Sequence, residues 1–113
     1  MSKKPINIML TETIAQSGNA DGIIIDLLRD FQPVIGKYTL QVLIAGAGTA
    51  KIELFLSNDN STFVEHTADV ATSLTVGTTI YEVDPIECNF MKFKATETGT
   101  SSPIIVSMWF CAL

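Results

Sequence analysis

The sequence predicts an all-β domain: an antiparallel two-sheet sandwich, jelly-roll-like, with about eight strands. Apolar and polar side chains alternate along most of the chain, and turn-forming residues recur between the alternating runs. No helix of several turns is credible in the pattern. With 113 residues the chain has the usual size of one domain, so we expect a single β-sandwich domain over residues 1–113.

Two strand candidates, residues 6–10 and 22–28, precede the central part of the chain. The second contains three consecutive isoleucines and could instead begin a helix. Because branched side chains are stiff and fit a pleated surface, extended structure is favoured.

The most regular pattern lies in residues 37–45 and 50–57, where every second side chain is apolar. This alternation is typical of half-buried strands. Because the glycine-containing segment 46–49 joins the two runs, we expect them to pair as a long hairpin. The side chains expected to face the core are Tyr38, Leu40, Val42, Ile44, Ala50, Ile52, Leu54 and Leu56.

Turn residues separate the strands of the second half. Asp59 and Asn60 suit a tight turn, because short polar side chains satisfy nearby amides and tolerate positive φ. The final strand is apolar on both faces, so both faces need cover. We expect strands at residues 62–66, 79–83, 88–96 and 103–113, with a loop at 67–78.

The charge content limits the partners. Only 17% of residues are charged, against roughly 25% in an ordinary soluble domain, and the mean hydropathy is +0.34. We therefore expect apolar surface to be covered by copies of the chain itself, in a trimer or larger, and by another protein. A net charge of −5 argues against nucleic acid, which is bound by a basic face.

No apolar run is long enough for a signal peptide or a membrane span, so we expect no membrane partner and synthesis in a cytoplasm. Cys88 and Cys111 lie in apolar segments and are expected to be reduced, buried thiols. A disulfide between them would require neighbouring strands, which the sequence does not decide.

The sequence predicts no catalytic residues, no metal site and no cofactor, and hence not an enzyme. His66 lacks the partners that the usual hydrolase and zinc motifs supply. A pocket that held His66 next to two carboxylates would revive the enzyme hypothesis. Residues 58–60 offer oxygen atoms, but they lack the spaced carboxylates of a calcium loop, and a turn is expected there.

Large apolar side chains also occupy positions that face away from the expected core. Subunit interfaces are poor in charge and rich in aromatic residues, so these positions predict a protein contact. The expected interface residues are Phe55, Ile105, Trp109, Cys111 and Leu113.

Residues 37–65, KYTLQVLIAGAGTAKIELFLSNDNSTFVE, resemble a hairpin of small jelly-roll virion proteins from tailed phages and prophages. In those proteins a Y-x-L-Q-V strand is followed by a glycine-rich turn and by a strand that ends in S-N-D-x-x-T-F. Residues 90–99, FMKFKATETG, show a weaker similarity, and Asn60 stands where glycine is usual. The resemblance implies a capsid decoration or cement subunit, or a head–tail accessory subunit, located in the virion and without catalytic residues.

An alternative is a carbohydrate-binding β-sandwich module, since turns of the S-x-D-G-x-T-F type also occur in such modules. Loop Asn and Asp residues would then bind sugar hydroxyls, and an exposed aromatic ring would stack on the sugar. Phe63 and Tyr81 are the nearest aromatic candidates.

Overall fold

The structure, a computed structural model, describes residues 5–27, 38–66, 68–83, 88–99 and 102–112. These residues form ten strands in two antiparallel sheets, as the alternating pattern predicts. The strands are β1 (Ile6–Ile14), β2 (Asn19–Asp21), β3 (Ile25–Asp26), β4 (Tyr38–Gly46), β5 (Ala50–Ser57), β6 (Val64–Glu65), β7 (Ala71–Leu74), β8 (Gly77–Val83), β9 (Phe90–Glu97) and β10 (Ile104–Ala112).

The strand order is that of a jelly roll. One sheet has the order β1-β10-β4-β8, and in the other β9 and β5 lie at the centre. There β2 and β3 lie end to end along β9, and β6 and β7 along β5, so each pair acts as one interrupted strand. Along the chain, the first strand pairs with the last, the second with the second-last, and so on inward. The pairs are β1 with β10, β2/β3 with β9, β4 with β8, and β5 with β6/β7. This nested pairing, rolled into two sheets, confirms the jelly-roll prediction.

The predicted hairpin between β4 and β5 is wrong. The β4 strand pairs with β10 and β8, whereas β5 pairs with β9, β6 and β7 in the other sheet. Alternation reports which face of a strand is buried and not which strand lies beside it. Both strands face the same core from opposite sheets, so their patterns look like those of paired strands.

Glycines allow the chain to cross between the sheets after β4. Gly46 has a φ of +94°, which side chains rarely adopt. At Gly48 a Cβ atom would lie 2.6 Å from the Ser102 carbonyl oxygen, closer than real contacts allow. The crossing turn therefore requires both glycines.

Several element boundaries differ from the expected ones. The expected loop 67–78 contains β7, and residues 22–27, the described part of the expected strand 22–28, hold the two-residue strand β3, which pairs with β9. Gly22 lies so close to β1 that a Cβ atom there would be 3.0 Å from the Ile8 carbonyl oxygen. Tertiary packing thus splits the predicted strand.

The core lies between the sheets and is lined from both sides by the alternating apolar residues. The Phe110 ring of β10 stacks on Tyr38 at 5.2 Å between centroids and meets Phe93 of β9 at 5.7 Å. These rings therefore join the two sheets. Of the side chains expected to face the core, Leu56 is only partly buried; Tyr38, Leu40, Val42, Ile44, Ala50, Ile52 and Leu54 are buried.

A buried carboxylate ties the loops at one end of the sandwich. Glu97, at the end of β9, is only 1% exposed. Its Oε2 accepts hydrogen bonds from the backbone N–H of Thr49 at 2.9 Å and of Gly99 at 2.7 Å, and its Oε1 accepts one from Ser17 at 3.1 Å. These hydrogen bonds stabilise the charged carboxylate and hold the pKa of Glu97 below its ordinary value, and the bond from Thr49 has the largest effect.

We expect Phe93→Ala to lower the free energy of unfolding by about 3–5 kcal/mol, because it opens a cavity at the ring contact that joins the sheets. Urea unfolding measures the loss. Phe55→Ala, which removes the same ring from a half-exposed site, is the control and should cost clearly less. Equal losses for the two variants would contradict this account of the core.

We expect Glu97→Gln to lower the melting temperature at neutral pH, because the amide cannot accept all three backbone hydrogen bonds. The pKa of Glu97 is below 4.5 in the fold and near 4.5 in the unfolded chain. The carboxylate therefore stabilises the fold fully above pH 4.5, and this stabilisation is lost as the pH falls through the lower, folded-state pKa. Thermal unfolding from pH 7 to pH 3 should show the gap between wild type and variant closing. A gap that stays constant would show that the charge of Glu97 has no role.

Candidate functional site

One outer surface of the sandwich is almost free of charge. It is formed by the outward side chains of β4, β8 and β10, which lie in rows across the strands. We call this surface the neutral face. Among its described residues it has one charged group, Glu82, at its border. Its members are Thr39, Gln41, Leu43, Ala45, Thr78, Ile80, Glu82, Ile105, Ser107, Trp109 and Cys111.

Large apolar side chains lie at the surface of the neutral face. Leu43 is 39%, Ile80 64% and Ile105 37% exposed. Trp109 is partly exposed and lies in one row with Gln41 and Ile80. A contiguous apolar surface on three adjacent strands has the composition of a protein contact.

The neutral face unites three of the five side chains expected at an interface. Ile105, Trp109 and Cys111 lie on it as outward residues of β10, with Ser107 between the first two. Leu113 lies outside the described residues. Phe55 lies on the opposite surface, because β5 belongs to the other sheet.

The opposite outer surface, here the charged face, is formed by outward side chains of β2, β5, β6 and β9. The Phe55 ring lies 5.8 Å from the ammonium nitrogens of both Lys92 and Lys94, and Lys92 also lies 4.7 Å from the Phe63 ring. These cations cover the aromatic rings. The charged face contains Asp21, Lys51, Glu53, Phe55, Glu65, Lys92 and Lys94.

The polar turn after β5 is engaged in its own structure. The Asp59 carboxylate accepts hydrogen bonds from the backbone N–H of Ser61 and of Thr62 and from the Ser57 hydroxyl, all at 2.9 Å. These hydrogen bonds lower the pKa of Asp59, and the bond from Thr62 has the largest effect. Asn60 has a φ of +59°, which explains why glycine is usual there and why Asn is tolerated. The turn predicted at residues 58–60 is thus present, and Asp59 is used to close it.

Three carboxylates converge around Glu53, and the sequence pattern does not predict them. One carboxylate oxygen from each of Glu53, Glu65 and Asp69 lies within 4.8 Å of the other two. The Lys51 ammonium group forms an ion pair with Glu53 at 3.5 Å. A hydrogen bond with Glu53 and repulsion by its charge raise the pKa of Glu65, and the same hydrogen bond lowers that of Glu53. The cluster depends on the pairing of β5 with β6, which places Glu65 opposite Phe55 and which the sequence pattern does not contain.

A cleft of about 170 Å³ opens between the edges of the two sheets, where β8 lies across from the segment that joins β6 to β7. The cleft is lined by His66, Asp69 and Glu82. A histidine next to two carboxylates is the combination that would favour an enzyme. The His66 Nδ1 atom lies 3.2 Å from the Ala68 carbonyl oxygen and 3.4 Å from the Ala68 amide. Within the described chain no hydrogen bond links the imidazole to either carboxylate, so His66 closes a local turn.

The two cysteines are not joined in a disulfide. Cys111 lies on β10 in one sheet, and Cys88 precedes β9 in the other. Burial raises the pKa of the Cys88 thiol, which makes it a poor nucleophile. In the described parts of the chain no helix has the length and apolar character to cross a membrane.

Comparison with solved structures gives a reference for the fold. No family model and no curated protein matches the chain. Among solved structures, the chain is similar to the SPBc2 prophage-derived protein YomS, with a TM-score of 0.53 and 11% sequence identity over 96% of this chain and 93% of that one. At this identity the likeness establishes a common fold. The chain thus shares the fold of a prophage-derived protein over nearly the full length of both.

Proposed function

We propose that this chain is a non-enzymatic structural subunit of a phage particle, either a capsid decoration or cement protein or a head–tail accessory subunit. It is made in the host cytoplasm and ends in the virion. It uses no cofactor, and its partners are copies of itself and a capsid or tail protein. The neutral face is the observation that carries this proposal.

The composition of the neutral face supports a protein partner. Protein interfaces exclude charge from their centre and are enriched in Trp and other large side chains. On this face Trp109 lies in one row with Ile80, and Ile105 lies on the same strand as Trp109. Glu82 lies at the border. Burial of these side chains by another protein removes their apolar surface from water, which is the main driving force of association.

The uneven distribution of charge between the two outer faces supports one orientation of the domain on the particle. The described lysines, Lys51, Lys92 and Lys94, all belong to β5 and β9 of the charged face. A subunit that contacts a particle through its neutral face would therefore turn its charges to solvent. The fold shared with a prophage-derived protein agrees with this assignment.

A carbohydrate-binding module is the second candidate, and the cleft is the observation that favours it. Tyr81 and His66 offer rings there, and Asp69 and Glu82 offer acceptors for sugar hydroxyls. The loop residues first expected to bind sugar are engaged elsewhere: Asp59 closes its own turn, and the Asn58 side chain accepts a hydrogen bond from the Asn89 amide.

We expect Ile105→Lys to remove the chain from particles. Particles would be purified on a density gradient from induced cells that carry this gene, and the chain quantified by mass spectrometry. The wild-type chain should be present in many copies, and the variant should be depleted about tenfold or more, as for a central interface residue.

Val64→Lys is the control, because Val64 is also a large apolar residue at the surface, 64% exposed against 37% for Ile105, but lies on β6, away from the neutral face. It should leave the copy number unchanged. Both variants should melt close to wild type, since exposed substitutions change stability by about 0.5 kcal/mol or less. Particles that lack the wild-type chain would refute the proposal, and equal loss of both variants would refute the role of the neutral face.

For the cleft, we expect no sugar binding. In an NMR titration with common mono- and disaccharides at millimolar concentration, the amide signals of Tyr81 and His66 should not move. Saturable shifts confined to cleft residues would favour the carbohydrate-binding module instead.

A further inference from the structure

The sheet edges of this domain are not equivalent. An edge strand exposes unpaired N–H and C=O groups, which are a template for pairing with another chain. Proteins blunt such edges with bulges, with very short strands, or with Lys and Pro residues. Here the edges are β1 and β8 in one sheet and the interrupted strands β2/β3 and β6/β7 in the other.

Three of the four edges are blunted. The pairing of β1 shifts register between Asn7 and Met9 and again between Met9 and Glu12, and Thr11 has a φ of +48°. The backbone N–H of Ile23 also donates to the Ile8 carbonyl at 3.0 Å, which occupies part of this edge. The edges of the other sheet consist of strands of two to four residues.

The β8 edge has none of these features. Its seven residues, GTTIYEV, pair with β4 without a register shift and contain neither Lys nor Pro. No other described strand pairs with β8. Thr, Ile, Tyr and Val favour strands, and the segment has a single charge at Glu82. An exposed edge of this kind aggregates unless a partner covers it.

We propose that β8 pairs antiparallel with β8 of a second copy, about a two-fold axis at Ile80. The proposal deepens the proposed function and rests on it for the self-association of the chain. An isologous contact needs only one surface patch, provided that the patch is complementary to itself.

The sequence of β8 is complementary to itself in this register. Ile80 lies opposite Ile80 of the second copy, so the exposed isoleucines cover each other. Thr78 lies opposite Glu82 of the second copy, where its hydroxyl can donate to the carboxylate. In this register an even-numbered residue always lies opposite an even-numbered one, and an odd-numbered residue opposite an odd-numbered one. The N–H and C=O groups that point away from β4 in one copy therefore face those of the other copy, as a regular antiparallel ladder requires.

Charge favours the antiparallel arrangement. Parallel pairing in register would bring the two Glu82 carboxylates together, which destabilises a cross-strand pair. In the antiparallel register they are four residues apart along the ladder, about 14 Å at 3.4 Å per residue.

Pairing at β8 would also enlarge the surface of the proposed function. The order β1-β10-β4-β8 continues into β8-β4-β10-β1 of the second copy, giving one sheet with twice the strands. The neutral faces of both copies then lie side by side on one surface, which doubles the area that another protein can cover.

Cross-linking tests the register. In Ile80→Cys the two introduced Cα atoms would be about 4.5–5.5 Å apart, within the range of a disulfide. We expect mild oxidation to give a covalent dimer in high yield on a non-reducing gel. Wild type, with Cys88 and Cys111, sets the background, and Val76→Cys is the control, because in this register the two positions lie about 27 Å apart. Equal yields at positions 76 and 80, or none at position 80, would overturn the proposal.

Charge substitutions give a second test that does not depend on oxidation. Thr78→Glu creates two pairs of facing carboxylates and should raise the dissociation constant of the dimer about 3- to 30-fold. Thr78→Lys should lower it, and the double variant Thr78→Glu with Glu82→Thr should restore the wild-type value. Thr78 and Glu82 are exposed and too far apart to interact within one strand, so the folded monomer should be unaffected.

Analytical ultracentrifugation measures these constants. A monomeric wild type at high concentration, or a dimer whose dissociation constant is the same in wild type, Thr78→Glu and Thr78→Lys, would overturn the β8 pairing. The function is tested separately: if the chain is present in particles but the β8 variants stay bound there and fail to affect self-association, the proposed function stands and the pairing does not.

Discussion

The jelly roll depends on keeping its sheet-crossing turns in place, and a single buried carboxylate does this at one end. Glu97 accepts backbone hydrogen bonds from the connections β1–β2, β4–β5 and β9–β10, each of which passes from one sheet to the other. Strand pairing cannot satisfy the amides of such turns, so another acceptor is needed. A charged acceptor such as the Glu97 carboxylate forms stronger hydrogen bonds than a neutral acceptor does. The position of these turns decides which strands become neighbours, and therefore which side chains share an outer face.

The sequence was sufficient to predict the class of fold and the buried side of most strands. The alternation around Leu40 and Ile52 identified the core residues because burial depends on one strand at a time. Strand partners depend on contacts between distant segments, such as β1 with β10, and a local pattern does not contain them. Ile105 and Trp109 were therefore correctly grouped as neighbours on one strand, whereas Phe55 was grouped with them although its strand lies in the other sheet.

The alternation that builds the core also gives the domain two different exteriors. On β5 and β9 the outward positions hold Lys51, Lys92 and Lys94 with their acidic partners, and on β4, β8 and β10 they hold Thr, Gln and large aliphatic residues. The proposed contact of the neutral face with a particle would leave the charged face toward water.

The bulges of β1 have a consequence for the size of any assembly. A sheet grows without limit when both of its margins accept a further chain, which is how fibrils form. Here the bulged, partly occupied edge at β1 disfavours an added strand, so a sheet extended by the proposed β8 pairing would end after one addition. With the proposed pairing at β8, the chain would combine self-association with protection against filament formation.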